Sequence, residues 1–432
     1  MSILSTSQQS SHDSKHKNRI ETTNSPRTAD LPASQVGLPT HFSQRAVLRR
    51  LRQLQHGTLR IEDGSITHVF GGEHSADLQT TIHVNDRRFY WDVLTGGSLG
   101  AAESYLQAHW DCENLVNLIR IMSRNSEALA TVDHSLSRLA TCLSWVAHKL
   151  NYNSRRGSQK NIAAHYDLSN EFFALFLDPT MTYSCGIFPH EKATLEEASI
   201  NKYDRICKLL QLSPTDHVLE IGTGWGGFSL HAARHYGCRV TTTTISQAQH
   251  DFAEQRFFES DVSERITLLK KDYRDLTGQF DKIASIEMIE AVGHQYLDTY
   301  FSQCDRLLKT GGTFALQAIT IPDNRYDTYC RSVDFIQRYI FPGGALPSIA
   351  AMIQATSKST SLQLVQLEEF SDHYARTLAA WRAAFDRHKD AIRNLGKSDR
   401  FLRTWDYYFC YCEGAFRERM TGLAQLVFRK SC

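Results

Sequence analysis

One stretch, residues 217–228, constrains the fold more than any other part of the chain. It reads His-Val-Leu-Glu-Ile-Gly-Thr-Gly-Trp-Gly-Gly-Phe, a short aliphatic run followed by four glycines within six positions. Residues 228–236 continue it as an amphipathic helix. A strand, a tight glycine turn and a helix start form the opening unit of an α/β nucleotide-binding domain. The glycines permit positive φ angles, and the helix N-terminus offers free N–H groups to a polar ligand.

The position of an acidic residue indicates which ligand the glycine turn binds. Gly222, Gly224 and Gly227 also match the dinucleotide pattern G-x-G-x-x-G, which requires an acidic residue about 20 positions further on to hold the ribose. The second strand, residues 239–245, leads into a serine and contains no carboxylate. Glu220 instead lies two positions before the first glycine, and E-x-G-x-G-x-G is typical of S-adenosylmethionine-dependent methyltransferases. The sequence therefore favours S-adenosylmethionine over a dinucleotide and over a purely structural turn.

Alternating strands and helices predict how the domain continues after the glycine turn. Such alternation argues for a doubly wound parallel sheet. The expected fold is the α/β, Rossmann-like class I methyltransferase fold, with a seven-stranded, mostly parallel sheet whose last strand is antiparallel. A turn is expected at Gly311-Gly312. The predicted strands are 217–221, 239–245, 265–270, 280–286, 313–321, 362–370 and 423–430, and the predicted helices are 192–211, 227–236, 246–259 and 294–308.

Charge and cysteine usage exclude several classes of protein. The net charge of +1 gives no basic signature for nucleic acid. The ten cysteines show no spacing typical of a zinc site, so we expect no metal and free thiols in a reducing cytosol. No segment has the apolar run of about 7–15 residues that a secretion signal needs, or the run of about 18 that a membrane span needs. We therefore expect a soluble, cytoplasmic protein.

Composition also divides the chain into domains. Residues 1–44 are polar and poor in large apolar side chains, so we expect a disordered N-terminal tail. Residues 45–150 predict a small α+β domain, 151–160 a polar linker and 161–432 the methyltransferase domain. The basic residues in 46–55 are interpreted as the solvated face of a helix in preference to a phospholipid contact. The predicted strands of the small domain are 57–61, 65–70, 80–84 and 89–93, and its further predicted helices begin at Ala101, Leu115 and Leu136.

Four further motifs accompany the glycine turn. They are His-Tyr-Asp-Leu at 165–168, Tyr-Ser-Cys at 183–185, Glu-Met-Ile-Glu-Ala-Val-Gly at 287–293 and Phe-Pro-Gly-Gly at 341–344. With the glycine turn they make residues 160–430 similar to cyclopropane-fatty-acyl-phospholipid synthases and the related mycolic acid cyclopropane synthases. Residues 45–150 resemble, more weakly, the family's small lipid-associated N-terminal domain.

The resemblance implies a reaction. The double bond of an unsaturated phospholipid acyl chain attacks the sulfonium methyl of S-adenosylmethionine, a carbocation forms, a proton leaves the new methyl group and a cyclopropane ring closes. This chemistry needs an apolar slot, tolerance of positive charge and a buried base. Aromatic faces attract such cations by about 0.5–2 kcal/mol each. The aromatic-rich stretches 166–188 and 401–416 suit this role, although ordinary core packing explains part of them.

The resemblance also implies that the base is a bicarbonate ion held by a small polar cluster. The matching positions are Cys185, Glu290, the backbone of Ile319, and Tyr374. Glu290 follows an apolar strand, where a buried carboxylate needs a partner, so a catalytic role is favoured over a structural ion pair. Cys412 matches a cysteine of the family's active site. Alkene methylation needs no thiol, so a packing role for Cys412 is an equal interpretation.

Two departures from the family pattern concern the base. The chain has Ala291 where a histidine is common, and Gln317 where a histidine that holds the ligand is usual. Glutamine can donate a hydrogen bond to an anion but cannot carry charge or shuttle a proton. The base is therefore expected to be held differently, and a methyl-branched or methylene acyl chain is an alternative product.

The cofactor residues implied by the resemblance lie at the strand ends. The amino-acid end of S-adenosylmethionine is placed beside Tyr183, Ser184 and the glycine turn. Gln249 replaces the usual ribose-binding carboxylate, and Ser246 can at the same time be a helix N-cap. The complete predicted set is Tyr183, Ser184, Glu220, Gly222, Gly224, Gly226, Thr244, Ser246, Gln249, and Asp272 with Tyr273 flanking the adenine.

Two other functions stay open. A methyltransferase for a small soluble acceptor would need no lipid-associated domain, and a lipid-binding protein without catalysis would keep only the fold. The intact glycine turn with Glu290, Cys185 and Tyr374 argues against the second of these. The resemblance further implies a homodimer that acts on unsaturated phospholipid acyl chains and contacts the inner face of the membrane peripherally.

Overall fold

A computed structural model describes residues 37–72, 78–130 and 168–431 of the chain. The predicted helix beginning at Leu136, the predicted linker 151–160, and His165, Tyr166 and Asp167 of the first motif lie outside these ranges. The described residues from Pro39 onward belong to one compact unit.

Seven strands form the larger sheet, in the order β10-β11-β9-β8-β5-β6-β7. Strands β5 to β9 are parallel, and β11 is antiparallel to both of its neighbours, which confirms the predicted fold. The prediction of a turn at Gly311-Gly312 was wrong, because β9 begins earlier, at Leu308. The pairing of β9 with β8 has a register irregularity after Phe280, which accommodates the additional residues of β9. The strands are β5 His217–Ile221, β6 Arg239–Thr244, β7 Ile266–Lys270, β8 Phe280–Ile286, β9 Leu308–Thr320, β10 Leu362–Glu369 and β11 Gly422–Lys430.

Helices cover both faces of this sheet. On one face, side chains of α6 and α7 pack against Val218 and Val240, and on the other face α9 and α12 pack against Leu219 and Ile283. Three further helices, α13 to α15, fill the insertion before the last strand. The helices are α5 Asn170–Ala174, α6 Leu195–Leu209, α7 Gly227–Tyr236, α8 Gln247–Phe258, α9 Leu297–Leu307, α10 Asp323–Tyr329, α11 Phe335–Tyr339, α12 Ile349–Ser359, α13 Ser371–Arg387, α14 Lys389–Asn394 and α15 Asp399–Arg417.

A second, four-stranded sheet lies in the N-terminal region, in the order β2-β1-β3-β4. Only β1 and β3 are parallel in it. Its strands and helices are α1 Gly37–Leu51, β1 Thr58–Asp63, β2 Ile66–Gly71, β3 Gln79–Val84, α2 Arg88–Leu106, β4 Trp110–Cys112, α3 Leu115–Arg124 and α4 Ser126–Ala130.

Two predictions for this region were wrong. Residues 89–93 form the first turns of α2 and not a strand, because Phe89 and Tyr90 pack into the core from a helix that continues to Leu106. The tail predicted over 1–44 ends earlier, since α1 begins at Gly37 and buries Val47 and Leu51.

The N-terminal sheet region is packed against α15. Glu418, just beyond the end of α15, accepts hydrogen bonds from Arg120 and Arg124 of α3, at 2.7 Å each. Tyr105 donates to Asp406 at 2.7 Å. Apolar residues of both regions belong to one continuous core. Among the described residues, no helix combines the length and the apolar character needed to cross a membrane.

Candidate active site

A cavity of about 600 Å³ opens at the carboxyl ends of the parallel strands. This edge of a doubly wound sheet is where ligands bind, because loops that follow neighbouring strands meet there. The turns after β5, β6, β7 and β8 all contribute lining residues. Residues Ile119 and Ser123 of α3 line it as well, so the N-terminal region forms part of the cavity wall.

The glycine turn forms one wall of the cavity. Gly222 and Gly224 line it, with φ angles of 104° and 53° that favour glycine. A Cβ built on Gly224 would meet no atom within 4 Å, so the free space beside this backbone is the cavity itself. Gly226 does not line the cavity. A Cβ there would lie 2.6 Å from the Phe257 ring, so this glycine permits the close packing of α7 on α8.

The end of β6 supplies the next group of predicted cofactor residues. Thr244 and Gln249 line the cavity, and the Thr244 hydroxyl donates to Gln249 Oε1 at 3.0 Å. Ser246 is not among the lining residues. Its hydroxyl accepts from the Gln249 N–H at 3.3 Å, which confirms the predicted N-cap.

Four predicted cofactor residues follow β7 or precede α6. Asp272 and Tyr273 line the cavity, and Asp272 also accepts a hydrogen bond from Arg274. Tyr183 and Ser184 line it too. Tyr183 donates to the hydroxyl of Tyr408 at 3.0 Å.

Glu220 is buried at the end of β5 and lines the cavity. Its carboxylate accepts from the hydroxyls of Ser229 at 2.5 Å and Thr242 at 2.6 Å. Burial raises the pKa of Glu220 to about 7, and the two hydroxyl donors oppose this. The side chain therefore ties the strand to α7 and β6 while one side faces the cavity.

Glu290 lies in a short 3₁₀ turn after β8 and lines the cavity. Its Oε1 accepts from the Ile319 N–H at 2.6 Å, while its buried Oε2 has no hydrogen-bond partner among the described residues. The loop of the Phe-Pro-Gly-Gly motif closes over this turn, since the Ala345 N–H donates to the Glu290 carbonyl at 2.8 Å. Burial, followed by the nearby charge of Glu287, raises the pKa of Glu290 to about 8.

Glu287 was not among the predicted site residues, yet it contacts three of them. Its carboxylate accepts from the Cys185 N–H at 2.9 Å, the Gln317 side chain at 2.7 Å and the Tyr374 hydroxyl at 2.6 Å. Glu287 and Tyr374 line the cavity, whereas Cys185 and Gln317 lie behind them. The available signal was its place as the first residue after an apolar strand, at the edge where ligands bind.

Lys202 is a second group that the sequence analysis missed. It is fully buried on α6, and its ammonium donates to the Ser184 hydroxyl at 2.5 Å. Burial lowers its pKa to about 8, and the charge of Glu287 opposes this. A lysine at helical spacing between Ala198 and Ile206, on the buried face of α6, was the signal that could have identified it.

The two predicted cysteines do not present reactive thiolates. The thiol of Cys185 is fully buried and donates to the Gly186 carbonyl at 3.2 Å, so this residue reaches the site through its backbone N–H. Cys412 lines the cavity from α15. Burial raises the pKa of both thiols, which disfavours a nucleophilic role.

The aromatic stretches divide between the cavity and the core. Phe172, Phe176 and Phe409 are buried in the core and pack edge to face with neighbouring rings. Other rings line the cavity, where Tyr374 stacks on Phe416 with centroids 4.4 Å apart. The aromatic residues that line the cavity are Tyr183, Tyr203, Trp225, Phe228, Tyr273, Tyr329, Phe341, Tyr374, Tyr408, Tyr411 and Phe416.

Replacing Glu290 by glutamine should change how stability depends on pH. The folded protein keeps a proton on Glu290 that the unfolded chain releases between about pH 4.5 and 8, so the wild-type free energy of unfolding falls as pH rises through this window. Glu290→Gln is neutral throughout, and we expect it to gain about 1–3 kcal/mol relative to wild type between pH 5 and 8. Denaturant unfolding at both pH values measures this, with the exposed Glu264→Gln as control. Equal pH slopes in wild type and Glu290→Gln would contradict it.

Comparisons with known proteins match this chain to one family. The family described as mycolic acid cyclopropane synthetase matches residues 153–426. The tuberculostearic acid methyltransferase UfaA1 of Mycobacterium tuberculosis is 38% identical over 333 residues, 74% of this chain and 76% of the relative. The cyclopropane-fatty-acyl-phospholipid synthase of Escherichia coli is 37% identical over 350 residues, 81% of this chain and 87% of the relative. A crystal structure of the mycolic acid cyclopropane synthase CmaA1, complexed with SAH and CTAB, superimposes with a TM-score of 0.60 at 33% identity and covers 63% of this chain and 98% of that one.

Proposed function

Because this chain belongs to the mycolic acid cyclopropane synthetase family, whose members use S-adenosylmethionine to methylate lipids, we propose that it methylates the double bond of unsaturated phospholipid acyl chains. The observation that carries this proposal is the cavity at the sheet edge, which joins a glycine turn to a wall of aromatic rings. A small soluble acceptor would not need the wall that α3 contributes through Ile119 and Ser123.

The residues around the glycine turn suit S-adenosylmethionine. The space beside Gly224 is open, and any side chain at this position would enter it. A cofactor bound against the turn therefore requires glycine here. SAH, the demethylated form of this cofactor, is bound in the CmaA1 structure. We assign Tyr183, Ser184 and the turn to its amino-acid end, Gln249 to the ribose, and Asp272 with Tyr273 to the adenine. Bound S-adenosylmethionine supplies an electrophilic sulfonium methyl group.

The aromatic wall suits the carbocation that forms when the alkene takes up this methyl group. Rings attract a cation held over their faces, by about 2 kcal/mol where water is excluded. Tyr374, Tyr408 and Phe416 line the cavity beside Glu287 and Glu290. The positive charge is therefore placed between aromatic faces and two carboxyl groups, one of which can remove the proton.

A bicarbonate ion, the base implied by the resemblance, does not fit the residues as they stand. The Ile319 N–H already donates to Glu290, and the Tyr374 hydroxyl and the Cys185 N–H already donate to Glu287. Gln317, at the position of the usual histidine, donates to Glu287 as well. Within the described part of the chain, these donors are used by the protein's own carboxyl groups, and we derive no step through bicarbonate.

The product is a cyclopropane ring if the new methyl group loses its proton while its carbon bonds to the cationic carbon. If a hydride first shifts from the methylated carbon to the cationic carbon, loss of the same proton gives a methylene branch, and a saturated methyl branch then requires a separate reductant. One of the two relatives is a cyclopropane-fatty-acyl-phospholipid synthase and the other a tuberculostearic acid methyltransferase, so the family resemblance does not by itself select the product. We propose the ring as the first product to test. A peripheral contact with the membrane and a homodimer belong to the same proposal.

Mass spectrometry of total fatty acids from cells that express the protein tests the proposed function. With methyl-labelled methionine in the medium, we expect monounsaturated chains to gain one labelled CH2 unit, and Glu290→Gln to reduce this gain about tenfold or more, as loss of a group at the reacting centre does. Chromatography of the new species distinguishes a ring from a branch.

Unlabelled fatty acids would contradict the proposal if the purified protein still binds S-adenosylmethionine, and would favour a soluble acceptor. Without cofactor binding, the non-catalytic lipid-binding alternative would gain support.

A further inference from the structure

The carboxylate of Glu287 sits where an anion would otherwise bind. Two donors, the Cys185 N–H and the Gln317 amide, reach its Oε1, and the Tyr374 hydroxyl reaches its Oε2. These donors come from three separate segments of the chain and converge on one carboxylate. Hydrogen bonds to a carboxylate favour its charged form and fix its direction.

The backbone at Glu287 is held in a conformation that glutamate rarely adopts. Its φ angle is 50°, in the left-handed region that is unfavourable for any residue with a side chain. The Glu287 N–H donates to the Gln317 carbonyl at 2.8 Å and so holds this turn directly after β8. Such strain persists only where the surroundings enforce it, and it concentrates at functional sites. Here it directs a carboxylate into the cavity.

A chain of hydrogen bonds orients the Gln317 amide toward Glu287. Arg205 Nε donates to Gln425 Oε1 at 2.8 Å, and Gln425 Nε2 donates to Gln317 Oε1 at 2.8 Å. Gln317 and Gln425 are directly opposite each other on β9 and β11. Because both amide oxygens are occupied, the NH2 group of Gln317 must face the carboxylate. Each bond polarises the next one, which strengthens the last donor.

The two carboxyl groups of the cavity have different surroundings. Glu287 has three donors and the nearby charge of Lys202, whereas Glu290 has one donor and an Oε2 without a partner among the described residues. Two carboxyl groups this close cannot both ionise readily. Burial raises the pKa of Glu287 as well, but its three donors and the charge of Lys202 oppose this. The charge is therefore better held on Glu287, and Glu290 keeps its proton at neutral pH, in line with its raised pKa. Paired carboxyl groups with divergent environments take different roles in proton transfer.

We propose that Glu287 is the base of the reaction and replaces an external anion such as bicarbonate. This inference rests on the proposed methylation of an alkene. After the alkene takes the sulfonium methyl group, a C–H bond of the new methyl breaks and its proton passes to Glu287 Oε2. The electron pair of that bond forms the C–C bond that closes the ring and neutralises the cation. Glu287 then returns the proton to water when the product leaves.

The test measures turnover of purified full-length protein on vesicles of unsaturated phospholipid, in buffer freed of carbon dioxide and in buffer with added bicarbonate. We expect wild-type turnover to be the same in both buffers. Glu287→Gln, which keeps the size but not the basicity, should lower kcat about 10²–10⁴-fold, the usual contribution of a general base. Its affinity for S-adenosylmethionine should stay within about threefold, less than 1 kcal/mol. The exposed Glu264→Gln is the matched control.

The variant Glu287→Gly tests whether the Glu287 carboxylate acts as a base or has only a structural role. Glycine adopts the positive φ without strain and leaves the three donors to a small anion. We expect this variant to be inactive alone and to regain activity at least about tenfold with added formate or bicarbonate, an effect that Glu287→Gln should not show. This rescue experiment tests the proposal even if Glu287→Gln fails to fold.

Three results would overturn the proposal: wild-type turnover that requires bicarbonate, Glu287→Gln with wild-type kcat, or Glu287→Gly without rescue. The failure of the proposed function is distinct from these, since wild type would then give no acyl product in either buffer.

Discussion

Replacing Gly224 by valine is expected to lower the affinity for S-adenosylmethionine about a hundredfold, or about 2.8 kcal/mol. At this position φ is 53°, and a Cβ would enter open space in the cavity wall. The valine methyl groups would occupy volume that we assign to the cofactor, and the left-handed backbone would add about 1–2 kcal/mol of strain. Titration calorimetry with SAH measures the affinity, and thermal unfolding measures the strain separately.

Gly311→Val is the matched control for this variant. Gly311 has a φ angle of 76°, and a Cβ there also meets nothing within 4 Å, but the residue does not line the cavity. The same substitution should therefore cost similar stability and leave the affinity for SAH unchanged. If Gly224→Val binds SAH normally, or if both variants lose affinity equally, the cofactor is not held against this turn.

The cofactor half of the site could be predicted because its signals are local. The spacing of Glu220 and the glycines, the strand before them and the helix after them all lie within about 20 consecutive residues, a range over which sequence patterns are informative. Thr244, Gln249, Asp272 and Tyr273 were implied by the resemblance, and they follow parallel strands, whose carboxyl ends lie at one edge of the sheet. All four line the cavity.

The N-terminal region shows where local patterns mislead. Aromatic residues at 89–93 favour a strand by propensity, but Phe89 and Tyr90 are buried from a helix, and the Phe89 ring contacts Trp110. The true fourth strand has only three residues and is defined by its pairing with β3. Tertiary contacts decide both cases, and a single sequence does not display them.

The hydrogen bonds that converge on Glu287 could not be predicted for the same reason. Its donors are separated from it by 102 residues at Cys185, 30 at Gln317 and 87 at Tyr374. Gln317 stands where a histidine that holds the ligand is usual, but the sequence does not show that the carboxylate of Glu287 accepts its hydrogen bond. The departure from the family pattern at Gln317 becomes informative once its partner Glu287 is known, and only the structure shows that these two side chains are in contact.

Replacing Gly414 by leucine is expected to separate lipid methylation from cofactor binding. A Cβ at Gly414, on α15, would lie 2.7 Å from the Ile119 side chain and 3.3 Å from the Val116 carbonyl, so α3 must move away. Overpacking of this kind lowers the free energy of unfolding by about 1–3 kcal/mol. Because Ile119 and Ser123 line the cavity, we expect turnover on phospholipid vesicles to fall about tenfold, since displacements near 1 Å cost that much or more.

The affinity of Gly414→Leu for SAH should remain at the wild-type level, because the added side chain meets α3, whereas the glycine turn follows β5. Gly96→Leu provides the control: it adds the same side chain to α2 of the N-terminal region, where a Cβ meets nothing within 4 Å. That variant should keep both turnover and affinity. Normal turnover in Gly414→Leu, measured at a temperature where it is folded, would show that α3 only supports α15. A loss of turnover in Gly414→Leu but not in Gly96→Leu would instead assign the N-terminal region to the lipid site. Both variants add the same side chain, but only Gly414→Leu displaces a helix that lines the cavity.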